Sequence, residues 1–393
     1  MLDDRWAAAR RLLLVRLDNI GDVVLLSAAV RTIRENLPDA SLTLLASPAG
    51  AQAVPLLPWL DDLIVWRALW QDVGGRMPLD PAREMELVAI LRERRFDAAI
   101  IFTSFSQSPH GPAYACYLAG IPLRLGESKE FGGGLLTTEV RNMPDDLYQA
   151  ERSLRLLETV GFVVKDRRPL VELAAAAREK ARAMLRGHGI VSGEGYVMVH
   201  PGASCQARRY PLERFSGMAP LLSLRAGMPV VVTGSEKEAP ELKKLAAASG
   251  SGVFSLAGET TVEELAALVA GANLVVCNDS LPMHLASALR VPSLVLFSGT
   301  DLESQWASPH SPTRLLRRHT SCSPCYLMEC PYRQECLEIS PAEVVKAAVE
   351  MLGRGEPQSQ TSSDRGAVVE PKIDLLSAGK TALGKDVASE ARS

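Results

Sequence analysis

The sequence predicts an α/β protein with two doubly wound parallel sheets. Short apolar runs alternate with stretches of helical period along most of the 393 residues, and this alternation favours parallel strands covered by helices on both faces. The alternation restarts after a polar, proline-containing stretch at 165–169. We therefore predict two sheets in series rather than one large sheet.

The first half begins with a complete strand–loop–helix unit. An apolar run from Arg11 to Leu17 predicts a strand, residues 18–22 form a turn, and the helical period that follows continues to Asn36, before Pro38. The same reasoning predicts a helix at 81–95. Further strands of the first half are predicted at 42–46, 63–66 and 98–102.

The second half repeats this order after an Ala-rich helix predicted at 172–186. Its predicted strands are 196–200, 230–233, 274–278 and 293–297. Its predicted helices are 211–226, 236–249, 261–271 and 282–290. We thus predict one domain at 1–165, a linker region at 166–190, a second domain at 191–354 and a disordered tail at 355–393, which lacks an apolar period.

Composition and motifs exclude several function classes. With 43 basic and 46 acidic residues the net charge is −3, so we expect no nucleic-acid partner. No segment has the charge order of a signal peptide or the length of a membrane span, which predicts a cytoplasmic protein. Neither a dinucleotide-binding G-x-G-x-x-G nor a P-loop motif occurs.

Four segments at the carboxyl ends of predicted strands carry the candidate site, because ligands of open α/β sheets bind beyond those ends. In the first, Gly21 permits a tight turn, and Asp22 is either an ordinary first-turn carboxylate of a helix or a general base presented to a cleft. In the second, residues 200–204 and the pair Arg208-Arg209 either bind phosphate oxygens or form a plain turn with solvated cations.

The other two segments lie in the second half. Glu236, in Thr233-Gly-Ser-Glu236, either accepts hydrogen bonds from a ribose or caps a helix. Asp279, Ser280 and His284 begin a helix in a manner that suits a nucleotide diphosphate, although an N-cap with a core histidine is the alternative interpretation.

Taken in order, LVRLDNIGDVVL, VHPGASCQARRYPLERF, VVVTGSEKE and LAGETTVEELAALVAGANLVVCNDSLPMHLASAL resemble glycosyltransferase family 9, the ADP-heptose:lipopolysaccharide heptosyltransferases and their relatives. The resemblance covers residues 10–352. It implies the GT-B architecture: two Rossmann-like domains that face each other across a cleft, with the acceptor on the N-terminal domain and the nucleotide sugar on the C-terminal one.

The resemblance also implies roles for individual residues. Asp22 matches the family's general base, which removes the acceptor proton in an inverting reaction. Arg208 stands where the family has a diphosphate-binding lysine. The nucleotide-sugar side is matched by Ser204, Arg208, Glu236, Asp279, Ser280 and His284. Leu281 departs from the pattern, because the family commonly has glycine there and a leucine side chain crowds a diphosphate.

Two further groups of residues are candidates for supporting roles. Arg124, Lys129 and Arg141 either form a basic rim for a phosphorylated glycolipid or are scattered, solvated cations. Cys322, Cys325, Cys330 and Cys336 have the spacing C-x2-C-x4-C-x5-C, which could hold structural zinc or iron or could be reduced thiols packing an irregular loop. Catalysis itself is expected to require no cofactor.

The resemblance thus implies transfer of heptose from ADP-heptose to a lipopolysaccharide core-type acceptor, a lipid-linked glycan at the inner membrane surface. Two alternatives stay open: a family 9 enzyme with another nucleotide sugar or acceptor, and a degenerate member that binds nucleotide or glycan without catalysis. An intact Asp22 favours catalysis, whereas Leu281 favours the alternatives. The oligomeric state is not readable from the sequence.

Overall fold

A computed structural model describes residues 1–353 apart from Val73 and Ser192. The tail predicted at 355–393 lies outside the described residues. The first half contains the strands β1 (Arg11–Arg16), β2 (Ser41–Ala46), β3 (Asp62–Val65), β4 (Ala98–Ile101), β5 (Leu123–Glu127) and β6 (Thr138–Val140). They form one parallel sheet in the order β3-β2-β1-β4-β5-β6.

The second half contains the strands β7 (Val197–His200), β8 (Val230–Val232), β9 (Val253–Ser255), β10 (Leu274–Asn278), β11 (Ser293–Leu296) and β12 (Thr313–Leu316). They form a second parallel sheet in the order β12-β11-β10-β7-β8-β9. In each sheet the direction in which successive strands are added reverses at the first strand of that half. The switch points therefore lie between β1 and β4 and between β7 and β10, and open α/β sheets bind ligands at such points.

Helices cover both sheets. In the first half these are α1 (Asp4–Ala7), α2 (Ile20–Leu25), α3 (Ser27–Asn36), α4 (Pro81–Arg94), α5 (His110–Leu118) and α6 (Gln149–Glu158). In the second half these are α7 (Ala175–Gly187), α8 (Leu212–Ala226), α9 (Ala239–Ala248), α10 (Val262–Gly271), α11 (Leu281–Leu289), α12 (Glu303–Trp306) and α13 (Pro341–Met351). Short 3₁₀ turns occur at Gly50–Leu56, Leu69–Gln71, Gln206–Arg208 and Glu335–Leu337.

Local sequence explains where several helices begin. Thr261 accepts a hydrogen bond from the backbone of Glu264 and the Glu264 carboxylate accepts one from Thr261, so α10 starts with reciprocal capping. Ser340 and Glu343 cap α13 in the same way. The central strands are apolar on both faces, as expected for strands covered by helices on each side.

All eight strands predicted from the sequence are present, so the two-sheet α/β prediction is confirmed. The four additional strands are β5, β6, β9 and β12. Three of these are edge strands of three or four residues, and β5 carries two charged residues, so none has the continuous apolar run of a central strand.

The two halves make contact through helices at the carboxyl ends of their strands. Helix α2 contacts α11, and the 3₁₀ turn at Gly50–Leu56 contacts α10. Helix α6 packs against α3, whereas the next helix, α7, packs against α10 of the second half. The connection between α6 and α7 therefore carries the chain from one sheet to the other.

Candidate functional site

A cleft of about 660 Å³ lies at the carboxyl ends of the strands of both sheets. Its first wall comes from the segments after β1 and β2, including Gly21 and Asp22. Its second wall comes from the segments after β7, β8 and β10, including Arg208 and Asp279. Both switch points of the fold thus open into one cavity, as the topology leads us to expect.

The cleft brings together six of the seven residues predicted for catalysis and nucleotide-sugar binding, namely Asp22, Ser204, Arg208, Asp279, Ser280 and His284. Glu236 is placed differently: it is exposed in the turn after β8 and is not among the described residues that line the cleft. Glu238, two residues further along, lines the cleft and accepts hydrogen bonds from the backbone and hydroxyl of Ser235, at 2.8 and 2.6 Å.

Asp22 is held by a buried arginine at the end of β1. The Arg16 guanidinium contacts Asp22 Oδ1 at 2.7 Å through Nη2 and Asp18 Oδ2 at 2.8 Å through Nε, and it also donates to Ser104 Oγ. Asp22 Oδ2 accepts the backbone N–H of Asn19 at 3.2 Å. These contacts fix the Asp22 carboxylate in the first turn of α2, at the cleft wall.

Asp18 is buried beneath this arrangement and is not among the described residues that line the cleft. Burial raises the pKa of the Asp18 carboxyl, and the neighbouring Asp22 adds to this effect while Arg16 opposes it. The side-chain amide of Gln107 donates to Asp18. Asp18 therefore supports Arg16 from behind, whereas Asp22 faces the cavity.

His284 of α11 packs directly against Gly21 of α2. A Cβ atom added to Gly21 would lie 2.6 Å from His284 Cδ2, which is closer than two such atoms can approach. Burial lowers the pKa of His284 to about 4, and the positive charge of Arg208 adds to this while Asp22 opposes it. The imidazole is therefore neutral at pH 7, and it fills the contact between the two halves.

Gly21→Ala is expected to disturb this contact, lower the stability of the fold and impair the function of the cleft. The new methyl group must displace the His284 ring, and overpacking of this kind costs about 1–3 kcal/mol of folding free energy. Gly217→Ala in α8 is the matched control, because its added Cβ would lie 3.8 Å from the nearest atom. Thermal unfolding and activity are measured for both variants, and equal behaviour of the two would contradict the packing argument.

Asn278, at the end of β10, holds the segment that follows β7. Its side chain is fully buried, donates to the Pro201 carbonyl at 2.6 Å and accepts the backbone N–H of Tyr210 at 3.2 Å. The Tyr210 hydroxyl in turn donates to the Ile339 carbonyl at 2.7 Å. The segment that carries Arg208 is therefore tied at both ends to the interior of the second half.

Arg208 lies between two buried carboxylates. Its Nη2 contacts Asp301 Oδ2 at 2.7 Å, and its Nε lies 3.6 Å from Asp279 Oδ2 and 3.3 Å from Thr300 Oγ1. Both carboxylates raise the pKa of Arg208 against the effect of burial. The sequence analysis missed Asp301, which follows β11 and so lies at the same edge of the sheet as the predicted residues.

The titration of Asp279 predicts a pH-dependent stability. Burial, with the charge of Asp301 adding to it and Arg208 opposing it, raises the pKa of Asp279 from near 3.8 to about 6. The folded protein thus binds this proton more tightly than the unfolded chain does. The stability that Asp279 contributes is fully present below about pH 4 and is lost as the pH rises through about 6.

Asp279→Asn is therefore expected to be more stable than the wild type at pH 8, by up to about 3 kcal/mol, and to differ little from it near pH 4. The substitution removes a carboxylate whose ionised form is disfavoured by burial. Thermal unfolding of both proteins in matched buffers measures the difference. A stability difference that does not change with pH would contradict this explanation.

The beginning of α11 is open toward the cleft. Ser280 is the N-cap residue, but its hydroxyl forms no cap hydrogen bond to the backbone N–H groups in the described part of the chain. Leu281, the first helical residue, is half-buried, lines the cleft and also packs against the apolar core. The leucine side chain thus shares the cavity wall with an uncapped helix N-terminus, which is favourable for an anion.

Two members of the expected basic rim lie apart from the cleft. Lys129 and Arg141 line a second cavity of about 430 Å³, with Phe131 at its edge. Lys129 pairs with Asp145, and Arg141 pairs with Glu139 at 2.7 Å.

The third member, Arg124, is not on the rim. It is buried and donates to the backbone carbonyls of Leu135, Gly134, Pro122 and Ile121, so the expectation is wrong for this residue. Its charge is used to hold the segment after β5 in place.

The four clustered cysteines lie on a segment whose backbone contacts the connections that follow β7 and β11. Met328 accepts the N–H of Ala207, while the N–H groups of Cys325 and Tyr326 donate to Gly299 and Thr300. All four thiols are free. Within the described residues no group of three or more His, Cys, Asp or Glu side chains is arranged to hold a metal ion, so the prediction of a metal site finds no support. The other three cysteines are buried, as expected: Cys116, Cys205 and Cys277.

None of the helices in the described ranges is long and apolar enough to cross a membrane.

Comparison with known proteins agrees with this architecture. The family model of glycosyltransferase family 9 (heptosyltransferase) matches residues 85–335. Lipopolysaccharide heptosyltransferase 2 of Salmonella typhimurium is 26% identical over 347 residues, which is 85% of this chain and 96% of that protein.

Two solved structures share the fold. The family 9 glycosyl transferase of Veillonella parvula has a TM-score of 0.71 at 21% identity, covering 88% of this chain and 98% of its own. The E. coli ADP-heptose lps heptosyltransferase II has a TM-score of 0.67 at 23% identity, covering 88% and 99%. The two facing parallel-sheet halves are the GT-B fold, and the resemblance seen in the sequence is confirmed: the chain belongs to glycosyltransferase family 9 and is a glycosyltransferase.

Proposed function

We propose that this enzyme transfers heptose from ADP-heptose to a lipopolysaccharide core-type acceptor with inversion at the anomeric carbon. The observation that carries the proposal is the single cleft into which Asp22 faces from the first half, and Arg208, Asp279 and the start of α11 face from the second. The names of the similar proteins support both the sugar and the acceptor class.

In the proposed reaction the acceptor hydroxyl oxygen attacks the anomeric carbon of the donor. The bond from that carbon to the diphosphate oxygen breaks, and ADP leaves with the bonding electron pair. The Asp22 carboxylate takes the hydroxyl proton. Because attack and departure occur on opposite faces of the sugar, one carboxylate is sufficient and no covalent sugar–enzyme intermediate is needed.

The proposed donor site stabilises the leaving diphosphate by charge. Arg208 supplies a fixed guanidinium at the cleft wall, and the uncapped N-terminus of α11 supplies backbone N–H groups. Ser204 and Ser280 line the same cleft with hydroxyl groups, and in this proposal Glu238 rather than Glu236 accepts hydrogen bonds from the ribose. No step of this mechanism uses a metal ion.

We further propose that the acceptor is a lipid-linked glycan met at the inner membrane surface by the first half. The second cavity is lined by Phe131, which is 91% exposed, and by the ion-paired cations Lys129 and Arg141 together with the carboxylates of Glu130 and Asp145. An exposed aromatic ring beside groups of both charges suits the polar–apolar boundary at which a lipid-linked molecule is met.

Calorimetric titration of the purified protein with ADP and with UDP tests the donor assignment. We expect ADP to bind more tightly than UDP, and ADP-heptose to release ADP in the presence of a lipopolysaccharide core acceptor. Lys129→Ala lies outside the cleft and is the control, which should bind ADP as the wild type does. Tighter binding of UDP would favour another nucleotide sugar, and binding of neither nucleotide would favour a non-catalytic member of the family.

A further inference from the structure

The two carboxylates beside Arg208 differ in their hydrogen bonds to the rest of the protein. Asp301 is 6% exposed, and its oxygens accept three hydrogen bonds: from Arg208 Nη2 at 2.7 Å, Thr300 Oγ1 at 2.6 Å and Trp306 Nε1 at 3.3 Å. It is not among the described residues that line the cleft. Both oxygens of Asp301 are therefore hydrogen-bonded by protein donors.

Asp279 shows the opposite pattern. It is 1% exposed and lines the cleft, yet neither of its oxygens has a hydrogen-bond partner within the described part of the chain. Its nearest cation, Arg208 Nε, lies at 3.6 Å, beyond hydrogen-bond length. Buried carboxylates are normally hydrogen-bonded, so both oxygens of Asp279 can still accept hydrogen bonds from a ligand.

The position of Arg208 explains this difference. Its short contact is to Asp301, on the side away from the cavity, and this draws the guanidinium away from Asp279. An arginine free to move would make its best contact with either carboxylate, and a bidentate pair with Asp279 would close the open group. Asp301 thus decides which face of the guanidinium is presented to the cleft.

We propose that Asp301 is a positioning residue of the donor site, which holds Arg208 in place for the diphosphate and keeps Asp279 open to the donor. This inference rests on the proposed donor function of the cleft. Asp301 also accepts the indole N–H of Trp306, whose ring lines the cleft with its centroid 6.0 Å from that of His284. One buried carboxylate therefore fixes two groups of the cavity wall.

The backbone that carries Asp301 is itself held rigidly. The N–H of Cys325 donates to the carbonyl of Gly299 at 3.0 Å, and the N–H of Tyr326 donates to the carbonyl of Thr300 at 2.8 Å. The same loop holds the segment of Arg208, because Ala207 donates to the Met328 carbonyl at 3.1 Å. The cysteine-containing loop therefore forms backbone hydrogen bonds to the segments of both Arg208 and Asp301.

Asp301→Asn tests the inference, since it keeps the shape of the side chain and removes its charge. We expect the Kd for ADP and the KM for the nucleotide sugar to rise about tenfold, while the KM for the acceptor stays unchanged. Glu127→Gln is the matched control. Glu127 is also a buried carboxylate paired with an arginine, Arg152, but neither residue is among those described as lining the cleft.

A double-mutant cycle separates positioning from general damage to the fold. In the background of Arg208→Ala, the further change Asp301→Asn is expected to add much less loss of ADP affinity than it causes in the wild type, because only the contact of Asp301 with Trp306 then remains to be lost. Full additivity of the two losses, or an equal rise of the donor KM in Glu127→Gln, would overturn the inference.

A variant that fails to fold is replaced by Thr300→Val, which keeps nearly the side-chain size and removes the hydroxyl that donates to Asp301 and accepts from Arg208 Nε at 3.3 Å, so it loosens the Arg208–Asp301 pair from both sides. A smaller rise of the donor KM is then expected, and an unchanged donor KM would overturn the inference. A wild-type protein that binds no ADP would contradict the proposed function instead, so the two failures are distinguishable.

Discussion

Replacing Asp22 with asparagine is expected to lower turnover by about 100-fold or more while ADP binds as it does to the wild type. An amide has nearly the shape of the carboxylate but cannot accept the acceptor proton, and general-base catalysis contributes about 10²–10⁴ to rate. The variant keeps the other partners of Arg16, because Asp18 and Ser104 still contact the guanidinium. Single-turnover rates with saturating donor, together with ADP titration, measure the two effects separately.

Asp18→Asn is the matched control for this prediction. Asp18 contacts the same guanidinium at 2.8 Å but is not among the described residues that line the cleft. Burial raises the pKa of Asp18, so Asn at this position removes a charge whose ionised form burial disfavours. Its turnover should fall far less than that of Asp22→Asn. Normal turnover of Asp22→Asn, or equal losses in both variants, would remove Asp22 as the base.

The central strands could be predicted from the sequence because parallel strands that are covered on both faces consist of continuous apolar runs. β1 and β10 are of this kind. Every residue of β10 is buried, and every residue of β1 except Arg11 is buried. β5 could not be found in this way, because its buried positions include Arg124 and Glu127, which are satisfied by the segments before and after it and by α6. The remaining missed strands lie at sheet edges, where three or four residues suffice.

The sequence predicted those residues of the candidate site that follow directly from their position after a strand. Asp22, Arg208 and Asp279 follow strands at the switch points, so the rule for open sheets places them at one edge. The same rule applies to Asp301 after β11, and the segment Thr300-Asp301 was the available signal for it. What no local pattern could give is the pairing of Arg208 with Asp301, since it depends on residues 93 positions apart.

The choice between Glu236 and Glu238 shows the limit of spacing arguments. Both residues lie in the turn that follows β8, and no periodicity in the sequence shows which of the two faces the cleft. The structure turns Glu238 toward the cleft, where it accepts two hydrogen bonds from Ser235, while Glu236 is exposed. A turn conformation, rather than a residue type, decides which carboxylate is available to a ligand.

Arg208→Ala is expected to weaken ADP binding by about 10- to 100-fold, which corresponds to one lost charge-assisted contact of about 1.5–3 kcal/mol. It should also destabilise the fold, because Asp279 and Asp301 then stay buried without their shared cation. Breaking a buried ion pair by removing one partner costs about 3–5 kcal/mol. Lowering the pH from 8 to 6 should relieve part of this cost, since protonation of Asp279 removes one unpaired charge.

Arg152→Ala separates these two effects. Arg152 is 2% exposed and pairs with Glu127, so its loss should destabilise the protein by a similar mechanism. Because Arg152 is not among the residues described at the cleft, its variant should retain the ADP affinity of the wild type. Arg208→Lys should recover part of the affinity but not the paired contacts, since an ammonium group lacks the planar fork of a guanidinium. Equal loss of ADP affinity in the Arg208 and Arg152 variants would show that the effect comes from the fold, and would remove Arg208 from the donor site.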